Sequence, residues 1–134
     1  MMIGHATSTR FTAAVPQFTV PDVVATAEYY RDVLGFQIAG YWADPPMFAI
    51  VWRDEVEVFF NKANSAETRT GRAEGAYDMY LRCMGVNALA AELRDRGADI
   101  IEGPELRTYG QRELVVRDCN GLILAFGEAV DRAA

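Results

Sequence analysis

The chain has 134 residues, of which 51% are hydrophobic and 24% charged, and a net charge of −6. That is the length and balance of one ordinary globular domain with room for a sizeable core. The acidity argues against a nucleic-acid surface, which needs the opposite sign. No apolar run reaches the about 18 residues of a membrane span. Met1 to Ala14 lacks the apolar stretch of a secretory signal and reads as a loose polar arm. The two cysteines, Cys83 and Cys119, fit no zinc spacing, and the single histidine, His5, lies in the arm. Reduced thiols in the cytoplasm are the expectation, with a disulfide left open.

The first element is a strand, Val15 to Val20, alternating polar and apolar residues. A helix follows, with Val23, Ala27, Tyr30 and Leu34 on one face. Asp22 is its expected N-cap, and Gly35 sits where a helix end wants a left-handed residue. Three strands come next: Phe36 to Trp42, Phe48 to Trp52 and Val56 to Asn61. Pro45-Pro46 separates the first two, and Arg53-Asp54-Glu55 turns tightly into the third. Lys62 to Gly75 is polar, contains glycine and has no periodicity, so it reads as a connector.

The chain then repeats itself. V-N-A-L-A-A-E-L-R-D-R-G from Val86 matches V-V-A-T-A-E-Y-Y-R-D-V-L-G from Val23, 63 positions apart, with one residue fewer before the glycine. The second copy also follows a strand, Asp78 to Cys83. Its helix shows Val86, Leu89 or Ala90, and Leu93 on one face and ends at Gly97. Three strands follow again: Asp99 to Glu102, Arg112 to Arg117 and Leu122 to Gly127. Asn120-Gly121 is the hairpin signal between the last two. The fold class is therefore α+β, with two βαβββ modules, about 14–62 and 76–129, in a single domain spanning 1–134. Helices on the outside leave the other face of each sheet free, and the two sheets curl into a cup-shaped, partly closed mixed sheet.

Two stretches carry a family resemblance. Val20 to Phe36, V-P-D-V-V-A-T-A-E-Y-Y-R-D-V-L-G-F, resembles the first helix signature of the vicinal oxygen chelate superfamily. Arg117 to Glu128, R-D-C-N-G-L-I-L-A-F-G-E, resembles its closing hairpin. The superfamily includes glyoxalase I, extradiol dioxygenases, epimerases, fosfomycin-modifying enzymes and drug-sequestering bleomycin-resistance proteins, so fold alone does not settle activity. Its metal-dependent members hold a divalent ion with four ligands on the cup face. Carried over by motif, those positions are Val15, Glu57, Asp78 and Ala125. Valine and alanine cannot bind a metal, so neither a metal nor another cofactor is expected. A slip in the first strand would offer Gln17 instead, and a bulge in the last would offer Glu128.

Strand alternation puts Val15, Gln17 and Thr19, then Glu57, Phe59 and Asn61, on the cup face of the first module. It puts Asp78, Tyr80 and Arg82, then Ile123, Ala125 and Gly127, on that of the second. Trp42, Met47, Phe48, Trp52 and Tyr109 are candidates at the rim, although aromatics in a small β-rich domain are more often core or interface. The candidate ligand-binding residues are thus Gln17, Trp42, Phe48, Trp52, Glu57, Phe59, Asp78, Tyr80, Arg82 and Tyr109. Glu57 and Asp78 inside a cup without metal would favour a cationic or hydrogen-bond-donating ligand; Arg82 could instead anchor an anion. No nucleophile–base pair or phosphate-cradling loop is legible.

The resemblance to the bleomycin-resistance group implies a non-catalytic protein that sequesters an antibiotic-like, aromatic or cationic small molecule. It also implies a homodimer, with Met1 to Ala14 as an exchanged arm. The alternatives are a metal-dependent lyase, isomerase or dioxygenase of the same superfamily, and a ligand-responsive or immunity-type module with no drug of its own.

Overall fold

A computed structural model describes residues 8–64 and 71–130. Its elements run β1 (Gln17–Val20), α1 (Val23–Asp32), β2 (Gln37–Trp42), β3 (Phe48–Arg53) and β4 (Val56–Lys62). They continue as β5 (Met79–Arg82), α2 (Val86–Asp95), β6 (Asp99–Leu106), β7 (Gln111–Arg117) and β8 (Ile123–Ala129). Two four-stranded mixed sheets result, ordered β1-β4-β3-β2 and β5-β8-β7-β6. In each, the first strand runs parallel to the last strand of its module and the other pairs are antiparallel. The repeat in sequence is thus a repeat in topology, and the fold is α+β without a closed barrel. His5 and residues 1–7 of the arm lie outside the described residues, as do 65–70 of the connector. Among the described residues no helix is long and apolar enough to cross a membrane.

Local chemistry sets the helix ends. The Asp22 carboxylate accepts the Ala25 N–H at 3.0 Å, capping α1 as expected. Both helices stop at a glycine in the left-handed region, Gly35 at φ 76° and Gly97 at φ 83°. The Phe36 amide then returns to the Tyr30 carbonyl, and the Ala98 amide to that of Leu93. α2 has no side-chain cap of its own, because Gly85 precedes it. The Glu128 carboxylate, on β8, takes that role and accepts the Gly85 and Val86 amides at 2.9 and 3.1 Å. Those bonds hold the Glu128 carboxyl below its ordinary value. Glu128 is therefore occupied with the helix and does not turn into the cup.

Each helix packs on its own sheet: α1 on β2, β3 and β4, and α2 on β6, β7 and β8. The buried faces merge into one core that draws on both modules, with Tyr30, Phe60, Leu34, Leu93, Leu114 and Leu124 fully buried. Several side-chain bonds join the modules, among them two that pair a helix of one with a strand or turn of the other. Tyr30 Oη donates to Asp118 Oδ2 at 2.7 Å, so α1 holds the β7–β8 turn. Arg53, at the end of β3, donates to both oxygens of Glu92 on α2, at 2.9 and 2.8 Å.

Several boundaries differ from the sequence expectation. β1 begins at Gln17, two residues late, although the Pro16 carbonyl still accepts the Phe59 amide. Asp78 precedes β5. β6 runs on to Leu106 through two register shifts, past Gly103 and Pro104, which read locally as a strand end. In the β7–β8 turn only Gly121 has positive φ, and the Asp118 carboxylate shapes the turn by accepting the Asn120 and Leu122 amides. Between β3 and β4 the turn is as tight as expected, with Asp54 at φ 51°.

Candidate ligand-binding faces

The face of the first sheet opposite α1 carries an aromatic row. Strand register sets Trp42 beside Phe48, and Phe59 one strand further on. The rings meet edge to face, with centroids 5.6 Å apart for Trp42–Phe48 and 5.3 Å for Phe48–Phe59. Beside the row, Asn61 Nδ2 donates to Gln17 Oε1 at 3.2 Å. Trp42 is 48% exposed in a position that a buried core residue would not occupy.

A cavity of about 650 Å³ lies where the two modules meet. Trp52 and Glu57 line it from the first module and Tyr80 and Arg82 from the second, with Val15 and Pro16 between them. The Arg82 guanidinium lies 5.9 Å from the Tyr80 ring centroid, within cation–π range. Glu57 is exposed, on the same face of β4 as Phe59.

On the open face of the second sheet the organising group is Glu113, on β7, with only 1% exposure. Its carboxylate accepts Tyr80 Oη and Tyr109 Oη at 2.7 Å each, Arg107 Nε at 3.0 Å and, more distantly, Tyr77 Oη at 3.4 Å. Burial by itself would raise the Glu113 carboxyl; the hydrogen bonds from Tyr80, Tyr109 and Arg107 together outweigh it and hold the group below its ordinary value. The sign follows: a lowered carboxyl stabilises the fold above the usual carboxylate range, and that stabilisation is lost as pH falls through the lowered value. Tyr80 reaches Glu113 by crossing Gly127 of β8, where a Cβ would collide with the phenol oxygen. The glycine in the F-G-E run thus makes room for the tyrosine.

All six tyrosines are shifted upward. Tyr109 is raised to about 12 by its hydrogen bond to Glu113 and then by desolvation, and Tyr29 to about 12 mainly by burial. Tyr30, Tyr41, Tyr77 and Tyr80 are raised as well, burial leading in each. Folding energy from these neutral phenols is complete below the unfolded value of about 10 and is lost as pH rises through the folded values. A spectrophotometric titration at 295 nm should therefore show less phenolate at pH 10 in the folded chain than in the denatured one. Equal phenolate in the two at pH 10, with the fold intact, would contradict this.

The structure gathers the candidate residues into three groups. Gln17, Trp42, Phe48 and Phe59 share one face; Trp52, Glu57, Tyr80 and Arg82 border the cavity between modules; Tyr109 joins Tyr80 around Glu113. Asp78 stands apart. Its side chain is 4% exposed, and Oδ2 accepts the Ile123 amide and Arg72 Nε at 2.8 Å each, fastening the start of β8. Glu113, Tyr77 and Arg107 escape a reading by alternation and family position. Glu113 is the one acid of β7, immediately before the apolar Leu114–Val116, and that was the available signal.

The same geometry bears on the metal that the resemblance implies for some members. Val15 and Ala125 carry no donor, and the Asp78 carboxylate is committed to Ile123 and Arg72. Glu57 alone is left, and among the described residues no three His, Cys, Asp or Glu side chains converge. This donor set does not fit a divalent ion. Cys83 and Cys119 are free thiols. Burial raises both, Cys119 to about 11 with help from the Asp118 carboxylate, so neither is a ready nucleophile.

Known structures share this architecture. TioX from Micromonospora sp. ML1 superposes with a TM-score of 0.72 at 16% identity, covering 90% of this chain and 100% of that one. A glyoxalase/bleomycin resistance protein/dioxygenase from Nocardioides gives 0.67 at 16%, over 96% and 89%. TnmS3, an antibiotic binding protein from Streptomyces sp. CB03234, gives 0.64 at 19%, over 90% and 99%. At such identities these likenesses speak for the fold alone. No curated protein sequence matches significantly. A family profile does match residues 3–126, nearly the whole chain, and the protein accordingly belongs to the glyoxalase/bleomycin resistance protein/dioxygenase superfamily.

Proposed function

We propose that this protein binds and sequesters an aromatic, antibiotic-like small molecule without transforming it. The observation that carries the reading is the edge-to-face row Trp42–Phe48–Phe59, half-buried at the two phenylalanines and exposed at Trp42, together with a cavity lined by Trp52 and Tyr80. The rings of Trp52 and Tyr80 suit stacking of a planar ligand, the charged Asp54, Glu55, Glu57 and Arg82 share the lining, and about 650 Å³ is an ordinary volume for such a ligand. Glu57 of the first module and Arg82 of the second, both lining that cavity, would orient it and select between cationic and anionic substituents. The poor metal donor set and the raised thiols remove the obvious chemical machinery. The fold shared with an antibiotic binding protein supports the same reading.

We further propose that it works as a cytoplasmic homodimer. Phe11, in the N-terminal arm, is 94% exposed, and such a residue gains from burial against a second copy. Arm exchange is one way to bury it.

The test is a titration of the full chain with a panel of aromatic antibiotics, bleomycin included, read by tryptophan fluorescence and melting temperature. At least one member should quench and stabilise. Trp42→Ala or Trp52→Ala should weaken that binding by roughly tenfold or more, the size expected for a truncated aromatic anchor. A panel with neither quenching nor a melting shift sinks the proposal.

A further inference from the structure

We propose that the helix side of the module junction holds a second ligand pocket, built for cationic amphiphiles: an aliphatic chain ending in an ammonium group. This goes beyond the sequestering site above and does not depend on it. The pocket has a volume of about 490 Å³ and opens between α2, the β5–α2 loop and the β3–β4 turn. Ala88, Leu89 and Glu92 of α2 line it, whereas α2 contributes nothing to the cavity between the modules. Residues of the β3–β4 turn and of β5, among them Asp54, Glu55 and Leu81, border both hollows. The two therefore share a wall, one on the cup side and the other on the helix side. Leu34, Phe36, Leu81 and Phe126, all of the main core, form the floor of the outer pocket, each no more than 6% exposed. The two phenylalanines are buried too deeply to offer a ring face for stacking, so the lining suits an aliphatic chain rather than a flat aromatic one. Met84, in the β5–α2 loop, borders the pocket and is 93% exposed. A flexible thioether in that place can fold over an apolar chain and lose its own contact with water.

Charge at the opening favours a cation. The Arg53 guanidinium is offset by Glu92, which accepts from both of its terminal nitrogens, and one of these also donates to the Leu34 carbonyl. Glu92 in turn accepts Arg96 Nε at 3.0 Å, so two arginines claim it. The Arg82 guanidinium lies 5.9 Å from the centroid of Tyr80, a residue of the inner cavity. Asp54 and Glu55 are left. Both are exposed, and among the described residues neither makes a hydrogen bond or an ion pair. An ammonium brought there by a buried chain meets two uncommitted carboxylates, whereas a carboxylate head group faces its own kind. Burial of the chain supplies the affinity, and the two acids set the sign of the head group.

Three probes of equal chain length test this on the full protein at neutral pH: octylamine, octanol and octanoate. Calorimetric titration should show octylamine binding at least fivefold more tightly than octanoate, with octanol between them, the size expected where an exposed attraction becomes a repulsion. Ala88→Trp, at an exposed helix position that lines this pocket and not the inner cavity, should fill the space. It should abolish octylamine binding with the melting temperature nearly unchanged, while Trp52→Ala should leave that binding intact. Asp54→Asn combined with Glu55→Gln should bring octylamine down to the affinity of octanol; asparagine tolerates the φ of 51° at position 54. Cys83 lines the pocket and reports its occupancy. Labelling of Cys83 by N-ethylmaleimide, followed by peptide mass mapping, should slow at least threefold under saturating octylamine, with the exposed Cys119 unaffected. The proposal is overturned by no binding of octylamine, by octanoate binding as tightly, by affinity that survives Ala88→Trp, or by unslowed labelling of Cys83. Affinity lost in Trp52→Ala would overturn it too, assigning the probe to the inner cavity. So would protection of Cys83 that grows with protein concentration alone, which would mean that a second copy covers the pocket. Failure of the antibiotic panel with octylamine bound as expected would reject the sequestration reading and keep this one.

Discussion

Tyr30→Ala should lower folding stability by about 4 kcal/mol, the range for deleting a large aromatic side chain from a packed core. Tyr30 has no exposed surface and meets Phe36 and Phe60 edge to face, with centroids 5.5 and 4.9 Å away. Its hydroxyl also reaches Asp118, in the second module. The substitution therefore opens a cavity under α1 and removes a buried tie between modules. For a chain of this size the melting temperature should fall by roughly 15 °C. Tyr30→Phe separates the two contributions. It keeps the rings packed but withdraws one donor from Asp118, whose carboxyl burial already pushes upward and whose remaining partners include the Asn120 and Leu122 amides. A loss of about 1–2 kcal/mol is expected there. Denaturant unfolding decides both; a Tyr30→Ala chain within 1 kcal/mol of the parent would contradict the shared core.

Gly103→Ala should cost about 3 kcal/mol, an unusual amount for one methyl group on a strand. Gly103 lies in the irregular middle of β6 at φ 85°, and a Cβ there would collide with the Glu113 carbonyl oxygen on β7. The clash is with backbone, which cannot swing aside as a side chain could. The strands must separate at the residue that organises Tyr77, Tyr80 and Tyr109, so the upward shift of Tyr109 should shrink in the same variant. Gly97→Ala is the control. It has nearly the same φ, 83°, but open space where the Cβ would stand, so only the conformational cost of about 1 kcal/mol applies. Equal unfolding midpoints for the two variants would mean that the close approach at Gly103 carries no energy.

These residues also show what a sequence makes legible. Gly35, Gly97 and Asp54 act through their own backbone and Asp22 through a bond to an amide three residues on, so each could be placed from its neighbours alone. The helix faces follow from period, and the duplication follows from Val23 and Val86 heading matching stretches. β6 was cut short because Gly103-Pro104 carries the chemistry of a strand end; only the pairing with β7 shows that the strand continues past a bulge. Alternation placed Phe59 on the cup face and left Trp42 and Phe48 as rim candidates; that the three rings form one row takes the strand register. Asp78 and Glu128 share one feature that the sequence does not show: family position says where a carboxylate stands, but not which distant amide claims it. Here Ile123 claims one, and Gly85 and Val86 claim the other. Glu113 was missed because its partners Tyr77, Tyr80, Arg107 and Tyr109 come from separate segments, which only the folded sheet brings together.

The central claim, binding without transformation, has one direct test. The panel member that stabilises the chain most is mixed with the protein at equal concentration and held at equilibrium. It is then released by denaturation and analysed by mass spectrometry beside a protein-free control, with and without added zinc, nickel, iron or manganese. The account predicts one ligand held per binding site and full recovery at unchanged mass under every condition. Conversion of more than one equivalent to a product of altered mass, above all a metal-dependent conversion abolished by Glu57→Ala, would contradict it.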